Sequence, residues 1–121
     1  MTRLTAAIAG AIALTVPGLS SGHPLTLEEC AQGGEFIRHA AMSRDAGVTK
    51  QTFMNRFAED IALIQAFPPE LRWFVQDEHD ERLLGTAAER VFDQPMKPEQ
   101  HEAAFVTDCI QTTAWRDSGL R

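Results

Sequence analysis

Apolar residues recur every three or four positions in four stretches of the chain, which is the spacing of one face of an α-helix. The first stretch covers about 27–46, and Thr26 and Glu29 at its start have the spacing of a capping box. Gly47 followed by the apolar Val48 predicts the end of this helix. The second stretch covers about 50–66 and ends before Pro68, because the residue that precedes a proline avoids the helical region. No stretch alternates in the manner of a β-strand.

The third stretch begins near Pro69 and regains a helical apolar face up to Phe92. A polar run, Gln76–Arg82, interrupts it, so the sequence allows either one long helix with an exposed section or two helices with a break. A fourth stretch covers about 98–113. Four helices with short connections predict an all-α fold, a small four-helix antiparallel bundle.

The residues before the first helix have the order of a secretory signal peptide. Arg3 provides a positive charge, Leu4–Val16 is uncharged and apolar, and Ser20, Ser21 and Gly22 are small residues of the kind a signal peptidase reads. A membrane anchor is the alternative, but about 13 apolar residues are too few to cross a bilayer. We therefore expect residues 1–22 to be removed, leaving one helical domain, 23–121, that is periplasmic or secreted and has no membrane span.

Two cysteines, Cys30 and Cys109, lie on the apolar faces of the first and fourth helices. These helices are antiparallel neighbours in an up-down-up-down bundle, so the start of the first meets the end of the fourth. Export to an oxidising compartment favours a disulfide between such a pair. The alternative is two buried free thiols.

The adjacent glycines Gly33 and Gly34 lower the stability of the first helix unless they serve its packing. Gly34 is one turn after Cys30, and Phe105 is one turn before Cys109. The sequence therefore predicts that Phe105 packs over Gly34, beside the disulfide. A kink without a packing partner is the alternative.

Composition and charge narrow the range of functions. The chain has 121 residues, 44% of them hydrophobic, which is enough for one globular domain. Its 17 acidic and 11 basic residues give a net charge of -6, which disfavours nucleic-acid binding. The histidines lack H-E-x-x-H spacing, and no serine stands in G-x-S-x-G. We therefore predict no enzyme, no catalytic residue, no bound metal and no cofactor.

The densest cluster of charge is the candidate contact for a protein partner. It consists of Asp77, Glu78, His79, Asp80 and Glu81. An acidic surface attracts a basic protein and adds specificity to its binding. The alternative is a solvated helix face or a loop that joins two helices.

The leader, Cys30, the helix end Arg44-Asp45-Ala46-Gly47-Val48 and Cys109 resemble the pattern of small, uncharacterised two-cysteine helical proteins of the Gram-negative periplasm. The chain also looks like periplasmic immunity proteins that neutralise cell-wall-degrading effectors. These resemblances imply a non-enzymatic exported binding protein, such as an inhibitor or immunity protein. An acid-stress chaperone is the alternative, and a metal- or haem-binding bundle is a further one.

Overall fold

The computed structural model describes residues 25–72 and 74–118, without the side chains of residues 115–118. The proposed signal peptide, 1–22, lies outside the described residues. Four helices are connected by short segments, and their bounds are α1 Leu27–Asp45, α2 Lys50–Gln65, α3 Glu78–Asp93 and α4 Pro98–Ser118. The described residues form the expected all-α antiparallel bundle.

Both ends of α1 are made by local sequence. The Thr26 side chain accepts from the Glu29 backbone N–H at 3.0 Å, and the Glu29 carboxylate accepts from the Thr26 N–H at 3.0 Å. At the other end Gly47 has a φ of 102°, and the Val48 N–H reaches the carbonyl of Ser43 at 3.0 Å. The predicted capping box and the predicted glycine stop are therefore confirmed.

The closest helix pair is α1 and α4, which the disulfide between Cys30 and Cys109 joins. The Cα atoms of Cys30 and Cys109 are 5.6 Å apart, and both residues are buried. The predicted disulfide is confirmed. It connects the first helix to the last across a sequence separation of 79 residues.

The glycine pair permits this close approach, but the predicted partner of Gly34 was wrong. Phe105 lies over Gly33, where a Cβ atom would be 2.6 Å from the Phe105 Cε2 atom. Gly34 faces Val106, whose Cγ2 atom would be 2.6 Å from a Cβ atom placed there. Successive residues point about 100° apart around a helix, so the two glycines accommodate two successive residues of α4.

The third apolar stretch divides into a short turn and one α-helix. Pro69–Leu71 forms a single turn of 3-10 helix, and α3 begins only at Glu78, with Asp77 as its N-cap. Phe74 and Val75 lie between them and are fully buried. The polar run is therefore the start of α3 rather than the middle of a longer helix.

All four helices contribute buried residues to the core, and aromatic rings join α2 to α1. Phe36 of α1 is 5.9 Å, centroid to centroid, from both Phe53 and Phe57 of α2. Phe74 and Phe105 form a second pair at 5.8 Å, next to the glycines. In the part of the chain that the structure describes, no helix is long and apolar enough to cross a membrane.

Candidate functional site

The acidic cluster lies at the N-terminus of α3. The first backbone N–H groups of a helix have no hydrogen-bond acceptor within the helix itself. The Asp77 carboxylate accepts from the backbone N–H groups of His79 and Asp80 at 2.9 and 3.0 Å. Glu78 and Glu81 stand in the first turn, where the helix dipole favours negative charge. Helix formation alone therefore explains part of this cluster.

Asp80 differs from the rest of the cluster because its side chain is inaccessible to solvent. Its Oδ2 atom accepts from the Gln76 backbone N–H at 3.1 Å, which fixes the segment that leads into α3. A buried carboxylate requires such hydrogen bonds to offset its desolvation. Asp80 thus stabilises the backbone at the start of α3 and cannot contact a partner directly. Glu78 and His79 are exposed and could do so.

The accessible carboxylates of the cluster belong to a larger acidic surface. One depression lies between the start of α1 and the Pro69–Leu71 turn, and a second lies between the end of α2 and the start of α3. Gln76 lines both, so the two depressions adjoin at this residue. We call this surface the acidic groove, and its carboxylates are Glu28, Glu29, Glu70, Asp77, Glu78 and Glu81.

Little positive charge opposes these carboxylates inside the acidic groove. Among the described residues that line its two depressions, Arg72 is the one basic side chain. The Arg72 Nε–H donates to the backbone carbonyl of Phe67 at 2.7 Å. The groove therefore carries an excess of negative charge that would attract a cationic ligand or protein surface.

The His79 side chain makes only a weak contact with its neighbours. Its Nδ1 atom is 3.9 Å from the Asp77 Oδ1 atom, and its side chain is 44% exposed. At this distance and exposure the contact is weaker than a hydrogen bond. His79 lines neither depression, so it lies outside the acidic groove.

A polar cluster that sequence reasoning missed lies, partly buried, at the opposite end of α3. The Arg44 guanidinium donates to the carbonyls of Val91, Gln94 and Met96 at 2.8, 3.1 and 2.7 Å. The buried His101 ring places Nε2 3.0 Å from the same Gln94 carbonyl. We call this the Arg44 clamp. It holds the end of α1 against the connection between α3 and α4.

The Arg44 clamp could not be predicted from a sequence motif. Arg44 binds backbone carbonyls about fifty positions further along the chain, and every residue type has such a carbonyl. Arg44 stands in the last turn of α1, where a basic residue is ordinary. Its contacts satisfy carbonyls near the C-terminus of α3 that the helix leaves unpaired. The Arg44 clamp therefore holds the fold together at this end of the bundle.

The described residues offer few groups for covalent or metal chemistry. Cys30 and Cys109 are bonded to each other, so neither supplies a free thiol. Within the described ranges, no three side chains of the kinds that bind metals converge on one point.

Comparisons of the chain with models of protein families, with curated proteins and with solved structures find no match. The interpretation of the acidic groove therefore depends on its own geometry and charge.

Proposed function

We propose that the protein is an exported, non-enzymatic binding protein that recognises a basic surface on another protein through the acidic groove. The observation that carries this proposal is that six carboxylates from three separate segments line two adjoining depressions. A basic partner would replace their hydration with ion pairs and hydrogen bonds, which favour the correct partner and speed its encounter.

Rigid support beneath the acidic groove favours this role. Asp77 caps α3, and buried Asp80 anchors the backbone of Gln76 at the junction of the two depressions. Gln65 of α2 donates to Glu81 at 3.3 Å and so connects a second helix to the groove. A surface held in this way loses little conformational entropy when a partner binds, which increases affinity.

Export is the second part of the proposal. The signal-peptide pattern of residues 1–22 and the disulfide between Cys30 and Cys109 both fit a periplasmic or secreted protein. Disulfides persist in such oxidising compartments and are rare in the cytosol. A protein partner would then be met outside the cytoplasm, and an inhibitor or immunity protein would act there.

The test compares two double variants, one that reverses two charges inside the acidic groove and one that reverses two charges outside it. Glu70→Lys with Glu78→Lys alters the groove, and Glu99→Lys with Asp108→Lys alters exposed acids of α4. Glu78 and Glu99 each stand in the first turn of a helix, so the two double variants disturb helix dipoles comparably. Each protein, with its disulfide intact, is immobilised and exposed to an extracytoplasmic extract of the source organism.

We expect the wild type and the α4 variant to retain the same protein in equimolar amount, and the groove variant to lose it. Binding should weaken as salt is raised, because the interaction is electrostatic. Equal retention by the groove variant would contradict the proposal, since the partner would then use another surface.

A further inference from the structure

A depression lies between α2 and the middle of α3, next to the acidic groove. Its apolar lining consists of Met54 and Phe57 of α2 and of Gly85 of α3. Glu78 and Glu81 line both this depression and the acidic groove, so the two surfaces adjoin. We call this surface the Gly85 depression.

The packing of α3 does not account for Gly85. This residue stands in the interior of the helix, where glycine is less stable than alanine, and it remains partly accessible to solvent. A Cβ atom there would come no closer than 3.3 Å to a side chain of another helix, at Cε2 of Phe57, whereas at Gly33 the corresponding distance is 2.6 Å. The missing side chain instead leaves open space in the depression, where another molecule can approach the helix backbone closely.

Negative charge predominates around this open space. Among the described residues that line the Gly85 depression, the charged side chains are Glu78, Glu81, Glu89 and Arg82. Glu81 and Glu89 stand four residues before and after Gly85, so each lies about 6 Å from it along α3 and on the same side of the helix. One guanidinium offsets at most one of three carboxylates, so the lining keeps a net negative charge.

The basic side chains of α2 do not reverse this balance. Arg56 is two residues after Met54, about 200° around the helix, and so lies on the side of α2 that faces away from the depression. Lys50 is bonded to Asp93, with its Nζ atom 3.0 Å from Oδ1.

The basic side chains of α3 and of the connection before it are also opposed by carboxylates or bonded to the backbone. Arg90 lies 3.7 Å from a carboxylate of α4. Arg72 donates to the Phe67 carbonyl at 2.7 Å and lines the adjoining acidic groove, where carboxylates outnumber it. His79 stands 3.9 Å from the Asp77 carboxylate. The surroundings therefore leave the Gly85 depression attractive to a cation.

We propose that the Gly85 depression receives an arginine or lysine side chain of the partner protein. The methylene groups of that side chain would lie across Gly85 and contact Phe57 and Met54, and its cationic end would reach the carboxylate of Glu81 or Glu89. A basic side chain suits such a site because its stem is apolar and only its end is charged. This inference rests on the proposed function and adds the kind of group that the partner inserts.

Charge and lining together select this occupant. A second copy placed symmetrically would bring two depressions of net negative charge together, and an anionic lipid surface would be repelled as well. A metal ion would use the carboxylates but not the apolar lining. A long basic side chain satisfies both parts of the depression.

The probe is the capped peptide Gly-Arg-Gly, titrated into isotope-labelled protein and followed through the backbone amide chemical shifts. Two related compounds separate the contributions of the charge and the stem. The same peptide with citrulline in place of arginine keeps the length of the side chain without its charge. Methylguanidinium has the charge without the stem.

Two substitutions alter residues that line the Gly85 depression but not the acidic groove. Gly85→Leu fills the open space, and Glu89→Gln removes one charge with little change of shape. Ala103→Leu and Glu59→Gln are the controls, since both residues are exposed and lie outside the depression. Gly85→Ala adds a single methyl group and keeps the test valid if leucine disturbs the fold.

We expect the arginine peptide to shift the amide signals of residues 54–57 and 81–89. Gly85→Leu should weaken its binding about tenfold, Gly85→Ala about twofold and Glu89→Gln about threefold, while both controls bind it like the wild type. The citrulline peptide and methylguanidinium should each bind about tenfold more weakly than the arginine peptide. Unchanged affinity of both Gly85 variants would overturn the inference. Equal binding of either related compound, shifts confined to residues 70–77 or the absence of binding would overturn it as well.

Two further measurements separate the other occupants and the underlying proposal. A dimer in sedimentation that Gly85→Leu dissociates, or association with phosphatidylglycerol vesicles that Gly85→Leu abolishes, would overturn a basic side chain as the occupant. If Gly85→Leu and Glu89→Gln capture the extract protein normally while Glu70→Lys with Glu78→Lys does not, the inference fails and the proposed function stands. If only Gly85→Leu and Glu89→Gln lose that protein, the acidic groove is not the recognised surface and the proposed function fails.

Discussion

Gly33 shows how a single residue determines the spacing of two helices. A Cβ atom at this position would lie 2.6 Å from Cε2 of Phe105 and 3.1 Å from Cε2 of Phe74. Both rings are buried, at 2% and 0% exposure, so neither can swing into solvent. The absence of a side chain at Gly33 thus allows both rings to pack against α1.

We therefore expect Gly33→Ala to lower the free energy of unfolding by about 1–2 kcal/mol, because overpacking of the core outweighs the better helix propensity of alanine. Gly85→Ala is the matched control in α3. Its new Cβ would meet Cε2 of Phe57 at 3.3 Å, a contact that a small ring movement relieves. Urea denaturation should leave Gly85→Ala at or above wild-type stability, and a similar loss in both variants would contradict this account.

At the residue scale, the local patterns were predicted correctly, whereas the predicted packing partner of Gly34 on α4 was wrong. Thr26 with Glu29, and Gly47 with Val48, are interactions between neighbours along the chain, so their spacing suffices to predict them. Gly33 and Gly34 differ by only about 1.5 Å along the helix axis but by about 100° around it. The sequence indicates the level at which α4 crosses α1, but not the rotation that selects Gly33 for Phe105.

Among the elements, the connection between α3 and α4 depends on a contact from α1. Arg44 donates to three backbone carbonyls of residues 91, 94 and 96 at 2.7–3.1 Å, and its side chain is only 19% exposed. The planar guanidinium can reach several acceptors at once, whereas a lysine ammonium is a single point of contact. Arg44 therefore joins three helices through one side chain.

Replacing Arg44 by Lys should cost about 2 kcal/mol of folding stability, because the part-buried Val91 and Met96 carbonyls lose a guanidinium donor. Amide hydrogen exchange should also accelerate in the connection, at residues 94–97. Arg38→Lys is the control, since Arg38 lies 3.9 Å from Glu102 and is 44% exposed. Such an exposed pair contributes little, and the control should change stability by less than about 0.5 kcal/mol. Equal effects of the two substitutions would rule out the Arg44 clamp.

The boundary of α3 illustrates why one element was ambiguous from sequence. A polar run suits an exposed helix face as well as a helix start, and periodicity does not separate the two. The structure starts the helix at Glu78, with Asp77 bonded to the N–H groups of residues 79 and 80 and Asp80 turned back to Gln76. The choice depends on the burial of Phe74, Val75 and Asp80, which is a property of the packed bundle.

For the whole molecule, the bundle and its disulfide could be predicted from the sequence. Four stretches with apolar residues at helical spacing, short connections and two cysteines were enough to predict them. The acidic groove could be predicted only in part. Asp77, Glu78 and Glu81 are adjacent in sequence, but Glu28, Glu29 and Glu70 join them through packing. Sequence reasoning found one segment of the surface and not the others, because their proximity arises from the tertiary fold.

The disulfide should dominate the stability of the whole chain, because it closes a loop with a sequence separation of 79 residues. In the chain-entropy treatment, such a loop stabilises the folded state by about 4.5 kcal/mol. We expect Cys30→Ala with Cys109→Ala to lower the free energy of unfolding by about that amount in urea titrations. The wild type measured in dithiothreitol should match the variant, which separates loss of the bond from loss of the sulfur atoms.

Burial of the sulfur atoms adds a kinetic consequence. Cys30 and Cys109 are 1% and 0% exposed, so a thiolate reaches them only when the bundle opens. Reduction of the native protein should therefore proceed at the rate of unfolding and should stop increasing as dithiothreitol is raised. A reduction rate that remains proportional to reductant concentration, together with a double variant as stable as the wild type, would mean that the bond does not hold α1 and α4 together.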